Sequence, residues 1–353
     1  MLKKAEVGRM AAIVVNSRYE SRPITGVERY AREVIKRLGP KVSIIKPRRR
    51  LRGIQGHLWE QIELPRQLEG GEVLWSPANT GPLKIEHQVV TIHDISPLDH
   101  PEWYAPAFVA WYRFLMPRLA KRVRKVITDS QFSKGRIIER LAIDEKKVIS
   151  IPCGVDQAKF HPYKKDEAAQ IREKYALREP YLLAVGSLNP RKNLNTLFRA
   201  WRKIGYSLDG MMLVIVGSAG RAFKSLELDN LPKQVRFLGY INDDDLPLLY
   251  ASARCFIFPS YYEGFGLPIL EAMACGVPVI ASKATALPEV LGDAGIQFDP
   301  TDVDELAADI RHVIDDEMLS RDLVQRGLQR AKEYSWEQTR DQIWAVLNEP
   351  WAD

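Results

Sequence analysis

Apolar residues come in short runs, separated by longer stretches in which polar and apolar positions alternate with a helical period. In the first half the runs are MAAIVV (10–15), VSIIK (42–46), EVLWS (72–76), QVVTI (88–92), KVITDS (125–130) and VISIP (148–152). Their apolar positions are largely contiguous, as expected of strands buried on both faces. Helical stretches lie between them, such as GVERYAREVIKRL (26–38), where Val27, Tyr30, Ala31, Val34, Ile35 and Leu38 share one face. The second half repeats the alternation with YLLAVGS (181–187), MMLVIVGSAG (211–220), VRFLGYI (235–241) and CFIFPS (255–260). Strand and helix in turn predict an α/β fold of doubly wound parallel sheets, whose ligands bind at the carboxyl ends of the strands. A chain of 353 residues suits two such domains.

The stretch with most chemistry is PSYYEGFGLPILEAMACGVPVI (259–280). Gly264 and Gly266 allow a sharp turn that brings backbone amides close to a ligand, and a helix is predicted to start near Leu267 with Pro268 in its first turn. The amides from Gly264 through Phe265 and Gly266 to Leu267 then form a site for anionic or hydroxyl-rich groups. Glu271 stands one helical turn in, able to face the same ligand as Glu263. Two carboxylates repel a bare phosphate but accept hydrogen bonds from sugar hydroxyls. In YLLAVGSLNPRKN (181–193), Arg191 and Lys192 follow a buried strand, where two cations can neutralise a diphosphate as its bond to a sugar breaks. His93 and Asp94 in TIHDIS also cap a strand, and Gly26 opens the helix 26–38 at a point where a diphosphate can approach without a side chain in the way.

The Glu263 and Glu271 pair, with GFGLP and EAMACGVPVIAS around it, resembles the paired-glutamate motif of the retaining glycosyltransferases of family 4. IHDISPLDHPEWY (92–104) is similar to the mannosyltransferase-B-like branch of that family, whose members build bacterial surface polysaccharides. The resemblance implies the GT-B fold, two Rossmann-like doubly wound parallel-sheet domains facing a central cleft. It implies an acceptor-binding domain over 1–160, a nucleotide-sugar-binding domain over 161–334, and a helix over 335–353 that crosses back to the first domain. In this reading Glu271 holds the nucleotide ribose and Glu263 a hydroxyl of the donor sugar. Arg191, Lys192 and Gly26 stabilise the leaving diphosphate. His93 contacts a sugar hydroxyl and, through its backbone carbonyl, charge at the reacting carbon. Backbone groups at Tyr240 and Ile241 read the base. Ser187 stands where the family commonly has an arginine, so Arg191 is expected to supply the guanidinium. Cys153 replaces the asparagine of the family's IPNGVD segment, and ATALPEV (284–290) lacks the usual glycines.

Charge adds an asymmetry. Residues 1–150 carry 28 Lys and Arg against 16 Asp and Glu, whereas residues 151–353 carry 23 against 29. A basic first half predicts an anionic partner there. Arg48, Arg49, Arg50 and Arg52, and the aromatic-basic stretch PEWYAPAFVAWYRFLMPRLAKRVRK (101–125), are the candidate contacts, with an anionic membrane surface or a lipid diphosphate as partner. No nucleic-acid motif accompanies them, so no nucleic-acid partner is expected. No run approaches the ~18 apolar residues of a membrane span, and the N-terminal apolar run is too short for a secretion signal. Cys153, Cys255 and Cys275 are few, odd in number and without metal spacing, which predicts a cytoplasmic, disulfide-free chain, peripheral at most on the inner face of a membrane. Asp243, Asp244 and Asp245 are read as the acids of a helix start capped by Asn242; no metal or other cofactor is expected beyond the nucleotide-sugar substrate.

The expectation is therefore transfer of a hexose, mannose from GDP-mannose, to a hydroxyl of a lipid-linked or oligosaccharide acceptor with retention at the anomeric carbon. Two rivals share the features: a sugar-nucleotide epimerase of the same fold, and a non-enzymatic sugar-binding protein.

Overall fold

The structure is a computed structural model that describes residues 12–21, 25–51, 53–177, 180–208, 210–217, 232 and 234–350. Met10 and Ala11 of the first predicted strand, Arg52, and Ser218 to Gly220 lie outside these residues. Among the described residues, twelve strands form two six-stranded sheets in which every pairing is parallel. The first contains β1 (Ile13–Asn16), β2 (Ser43–Ile45), β3 (Val73–Ser76), β4 (Gln88–Thr91), β5 (Lys125–Thr128) and β6 (Val148–Ser150), in the order β2-β1-β3-β4-β5-β6. The second contains β7 (Tyr181–Val185), β8 (Met212–Val216), β9 (Val235–Gly239), β10 (Cys255–Phe258), β11 (Val279–Ser282) and β12 (Ile296–Phe298), in the order β12-β11-β10-β7-β8-β9.

The central strands are apolar because helices cover both faces: β1, β3, β4, β10 and β11 are buried at every position. In the second sheet the strand order reverses between β7 and β10. Such a switch point leaves a crevice outside the carboxyl ends of the two strands. The loops after β7 and β10 are the ones carrying Arg191, Lys192, Glu263 and the glycine turn.

One apolar cluster runs through both lobes. It takes in Tyr30 and Trp75 of the first lobe, Phe256 and Met273 of the second, and Val155, Phe160 and Trp336 at the seam. The last described helix, Trp336–Leu347, lies against the first lobe. The Trp336 indole meets Tyr30 at 6.1 Å, Thr339 donates to the Pro152 carbonyl at 2.8 Å, and Arg37 pairs with Glu337 at 2.7 Å. Gly154 is required by this crossing, because a Cβ there would stand 2.1 Å from the Trp336 nitrogen.

On helix Gly26–Leu38 the expected apolar face packs on the core, with Val27 half-buried against it, and the buried set also takes in Glu28. The Glu28 carboxylate turns back to accept from the Thr25 amide at 3.0 Å and from its hydroxyl, satisfying an orphan donor at the helix start. Asn242 does not cap a helix: the helix Leu246–Ala251 begins after Asp245, and the three acids precede it. Asp243 pairs with Arg29 and Lys159, Asp244 with Lys159, and Asp245 with Lys174 and Tyr175.

Candidate functional site

The switch point brings the two loops face to face. The Lys192 ammonium lies 2.6 Å from one Glu263 oxygen and the Arg191 guanidinium 3.7 Å from the other. Backbone bonds lock the arrangement: Tyr261 donates its amide to the Arg191 carbonyl at 2.8 Å, and Glu263 donates its own to the Thr285 hydroxyl at 3.0 Å. Asn193, in the left-handed region at φ 52°, closes the cation loop and donates to the carbonyls of Pro259 and Pro300. Burial alone would push the Glu263 carboxyl up; Lys192 and Arg191 outweigh it and hold the group below its ordinary value. For Lys192, burial draws the ammonium down, Glu263 opposes this, and repulsion from Arg191 leaves it below the ordinary value. Two cations thus face Glu263, and an entering anion competes with that carboxylate for both.

Across the seam, Arg191 also reaches Asp94 of the first lobe at 3.3 Å. The neighbouring His93 is buried, with Nδ1 2.6 Å from Asp129 and Nε2 3.0 Å from the Pro77 carbonyl. Both ring nitrogens are therefore engaged within the first lobe, and it is the His93 carbonyl that faces the second. A Cβ on Gly264 would lie 2.3 Å from that oxygen, so only glycine fits. Burial would lower the imidazole, but the Asp129 carboxylate and the Pro77 carbonyl raise it above its ordinary value. Because the folded group holds its proton more tightly than the unfolded one, this pairing stabilises fully below about pH 6.5 and is lost as pH rises through the raised value. The stability gap between wild type and Asp129→Asn, read from urea midpoints, is expected to be widest at low pH and to shrink as pH rises through the raised imidazole value.

Behind the loop, Glu271 is buried in helix Leu267–Ala274. Its oxygens accept from Arg29 at 2.7 Å and from the Tyr250 hydroxyl at 3.1 Å. Burial outweighs Arg29 and leaves this carboxyl above its ordinary value. Arg29 comes from the first lobe, bridges Glu271 to Asp243, and lies over the Phe160 ring at 5.8 Å. These groups line a narrow cleft together with Lys159, Leu267 and Trp336. Gly26 of the first lobe lies beside Leu267, whose side chain a Cβ there would meet at 3.8 Å.

The structure thus gathers His93, Arg191, Lys192, Glu263, Gly264 and Asp94 at one seam, and Glu271, Leu267 and Gly26 at the adjoining cleft. Gly266 opens the helix at φ 120°, with the Phe265 side chain buried beneath it. The Ser187 hydroxyl accepts from Asn189 at 2.7 Å, inside its own loop. Tyr240 is 64% exposed and Ile241 is packed in the second lobe's core, so neither side chain joins the seam. Cys153 is buried beside Asp129, which together with burial pushes its thiol well above the ordinary value. Arg29, Tyr250 and Thr285 were not singled out by the sequence, although Arg29 stands inside GVERYAREVIKRL and Thr285 inside ATALPEV.

The profile of Glycosyl transferases group 1 matches residues 167–330, and that of Glycosyltransferase Family 4 matches residues 71–159. O-antigen chain mannosyltransferase B of Escherichia coli is 37% identical over 265 residues, covering 72% of this chain and 68% of that protein. The serotype-specific mannosyltransferase WbdA of Escherichia coli is 31% identical over 74% of this chain, which spans only 33% of that protein's length. Among solved structures, Anabaena HepE in complex with UDP-glucose shares the fold, with a TM-score of 0.77 at 18% identity over 96% of this chain and 100% of that one. With the paired glutamates and the cation loop meeting at the switch point of a GT-B fold, the chain belongs to glycosyltransferase family 4.

Proposed function

We propose that the protein is a retaining mannosyltransferase that moves mannose from GDP-mannose to a hydroxyl of a growing surface polysaccharide. The observation that carries this reading is the contact of Lys192 and Arg191 with Glu263 at the crevice where two parallel-sheet lobes meet. The names of the most similar mannosyltransferases support the sugar, and the nucleotide sugar bound by a neighbour of the same fold supports the donor class.

In this mechanism the diphosphate lies along Lys192, Arg191 and the helix start at Gly26. The cations stabilise charge on the leaving group as the anomeric carbon gains oxocarbenium character. Glu263 holds a hydroxyl of the sugar, and the His93 carbonyl faces the reacting carbon. A ribose hydroxyl that reaches Glu271 replaces Arg29 or Tyr250 as its hydrogen-bond donor. The acceptor hydroxyl attacks from the face the diphosphate leaves, and a phosphate oxygen takes its proton.

A panel of nucleotide sugars tests the reading through thermal stabilisation and release of nucleoside diphosphate. GDP-mannose is expected to give the largest response, Glu271→Ala to abolish it, and the product anomer, read by NMR, to match the donor. A response to a different donor alone, or an inverted product, would overturn it.

The first lobe supports an acceptor held at an anionic membrane. Among the described residues no helix is long and apolar enough to cross one. Ile54, Leu58, Ile62 and Phe114 are nevertheless exposed, at 74%, 52%, 45% and 45%. Trp111 donates to His57 at 3.0 Å and joins the short helix Ile54–Leu58 to helix Pro106–Arg122. The Arg118 guanidinium sits over the Phe114 ring at 4.2 Å, and Arg48, Arg49 and Arg50 are exposed. Tyr104 and Tyr112, by contrast, are buried. In a sedimentation assay, Phe114→Glu and Arg118→Glu are expected to weaken binding to phosphatidylglycerol vesicles while activity on a soluble acceptor stays unchanged.

A further inference from the structure

The loop that carries Glu263 belongs to the second lobe, yet the residues on either side of that glutamate are held by the first. On one side the Tyr262 hydroxyl donates to Asp99 at 3.1 Å, and the Tyr262 ring meets the His100 and Phe132 rings edge-on at 5.7 Å and 5.6 Å. On the other side the Gly264 carbonyl accepts from the Ser130 hydroxyl at 2.7 Å and the Ser133 hydroxyl at 3.1 Å. Ser133 also donates to the His93 carbonyl at 3.2 Å, so one hydroxyl touches both faces of the seam.

The Asp99 end of this grip is stiff. Arg136 holds the carboxylate through two bonds of 3.0 Å and 2.7 Å, and Arg140 adds one of 2.8 Å. The side chain is 4% exposed. A bidentate arginine contact fixes the orientation of a carboxylate as well as its charge. The Ser130 end is equally defined. Ser130 caps helix Gln131–Leu141 by accepting from the Ser133 amide at 3.0 Å. The next amides, of Gln131 and Phe132, donate to Glu289 of the second lobe at 2.7 Å and 3.2 Å.

We infer that Tyr262, oriented by Asp99, is a positioning residue for Glu263: with the lobes closed, the first lobe grips the chain on both sides of that carboxylate and completes the register that Arg191 and Thr285 hold from within the second lobe. The inference rests on the role proposed above for Glu263. Its consequence is an order of events. A nucleotide can dock on the second lobe alone, but the sugar hydroxyl is held correctly only after closure. Premature loss of the sugar to water is thereby suppressed.

Tyr262→Phe removes the hydroxyl and keeps the ring; Asp99→Asn keeps the shape and removes the charge. With GDP-mannose as donor, both are expected to lower kcat by roughly 10- to 100-fold while GDP affinity, measured by calorimetry, stays near wild type; the thermal midpoint should also hold in Tyr262→Phe, whereas Asp99→Asn lowers it by leaving Arg136 and Arg140 without their shared counter-charge. The double variant should be little worse than either single one, because both remove the same contact. A second reading needs no turnover: carboxyl NMR of Glu263 should show its titration moving toward the ordinary glutamate value in Tyr262→Phe, as Lys192 and the carboxylate lose their register. An unchanged kcat and an unchanged Glu263 titration would overturn the inference. So would equal losses of kcat, GDP affinity and stability, which would mark the contact as interlobe glue. Wild type and Glu263→Gln in the same assay keep the two readings apart. If wild type turns over and Glu263→Gln does not, the proposed function stands whatever Tyr262→Phe does.

Discussion

Lys192→Ala is expected to cut the rate of sugar transfer by about 10²–10³, the cost of removing one preorganised group aimed at charge that develops on a leaving oxygen. The same change should cost stability, because Glu263 is left buried with its nearest cation gone. Breaking a buried pair from one side typically costs about 3–5 kcal/mol, and Arg191, still 3.7 Å away, should keep the loss at the low end. The two effects can be separated. Replacing both partners by groups of similar shape, Lys192→Met with Glu263→Gln, should recover much of the stability and none of the activity, since no uncompensated charge remains buried. Initial rates of GDP release and urea midpoints on wild type and the two variants give the answer. A Lys192→Ala enzyme that turned over at the wild-type rate would show that the leaving group is stabilised elsewhere.

Gly264→Ala is expected to abolish transfer to a similar degree while leaving each lobe folded. The added methyl would stand 2.3 Å from the His93 carbonyl and 3.0 Å from the Asp94 side chain, both on the opposite lobe. Backbone cannot yield by so much, so the lobes must part at this point. Separating reacting groups by about 1 Å can already cost roughly 10² in rate. Because Glu271 and its helix lie wholly in the second lobe, GDP binding by calorimetry should survive. A variant that lost GDP binding as well would show that the substitution had disturbed the second lobe itself.

The contrast between these two positions shows how far residue order alone can be read. Lys192 and Glu263 were legible because their chemistry depends on local features: a buried strand, a tight loop, a helix start. Once β7 and β10 neighbour each other at a reversal of strand order, both loops have to open into one crevice. His93 was legible as a strand-end residue but not in its detail. Its ring turns inward to Asp129 and Pro77, and only its carbonyl meets the other lobe. The aspartates at 243–245 misled in the same way, because charges that complement a helix dipole and charges that pair across a fold look identical in a row of letters. Three cations, Arg29, Lys159 and Lys174, decided which they were.

The order of residues by itself determined the two doubly wound sheets, the helix that starts beside Glu263, and the charged groups carried by the loops at the switch point. Each follows from interactions over a few residues or from runs of apolar side chains that have to be buried on both faces. Only the tertiary structure decided that Arg29 occupies Glu271 from 242 residues away, that Tyr262 reaches Asp99, and that Ser130 and Ser133 hold the Gly264 carbonyl. The physical reason is that these bonds cross between lobes. Their partners are chosen by how the two lobes meet, and no periodicity along the chain encodes that meeting.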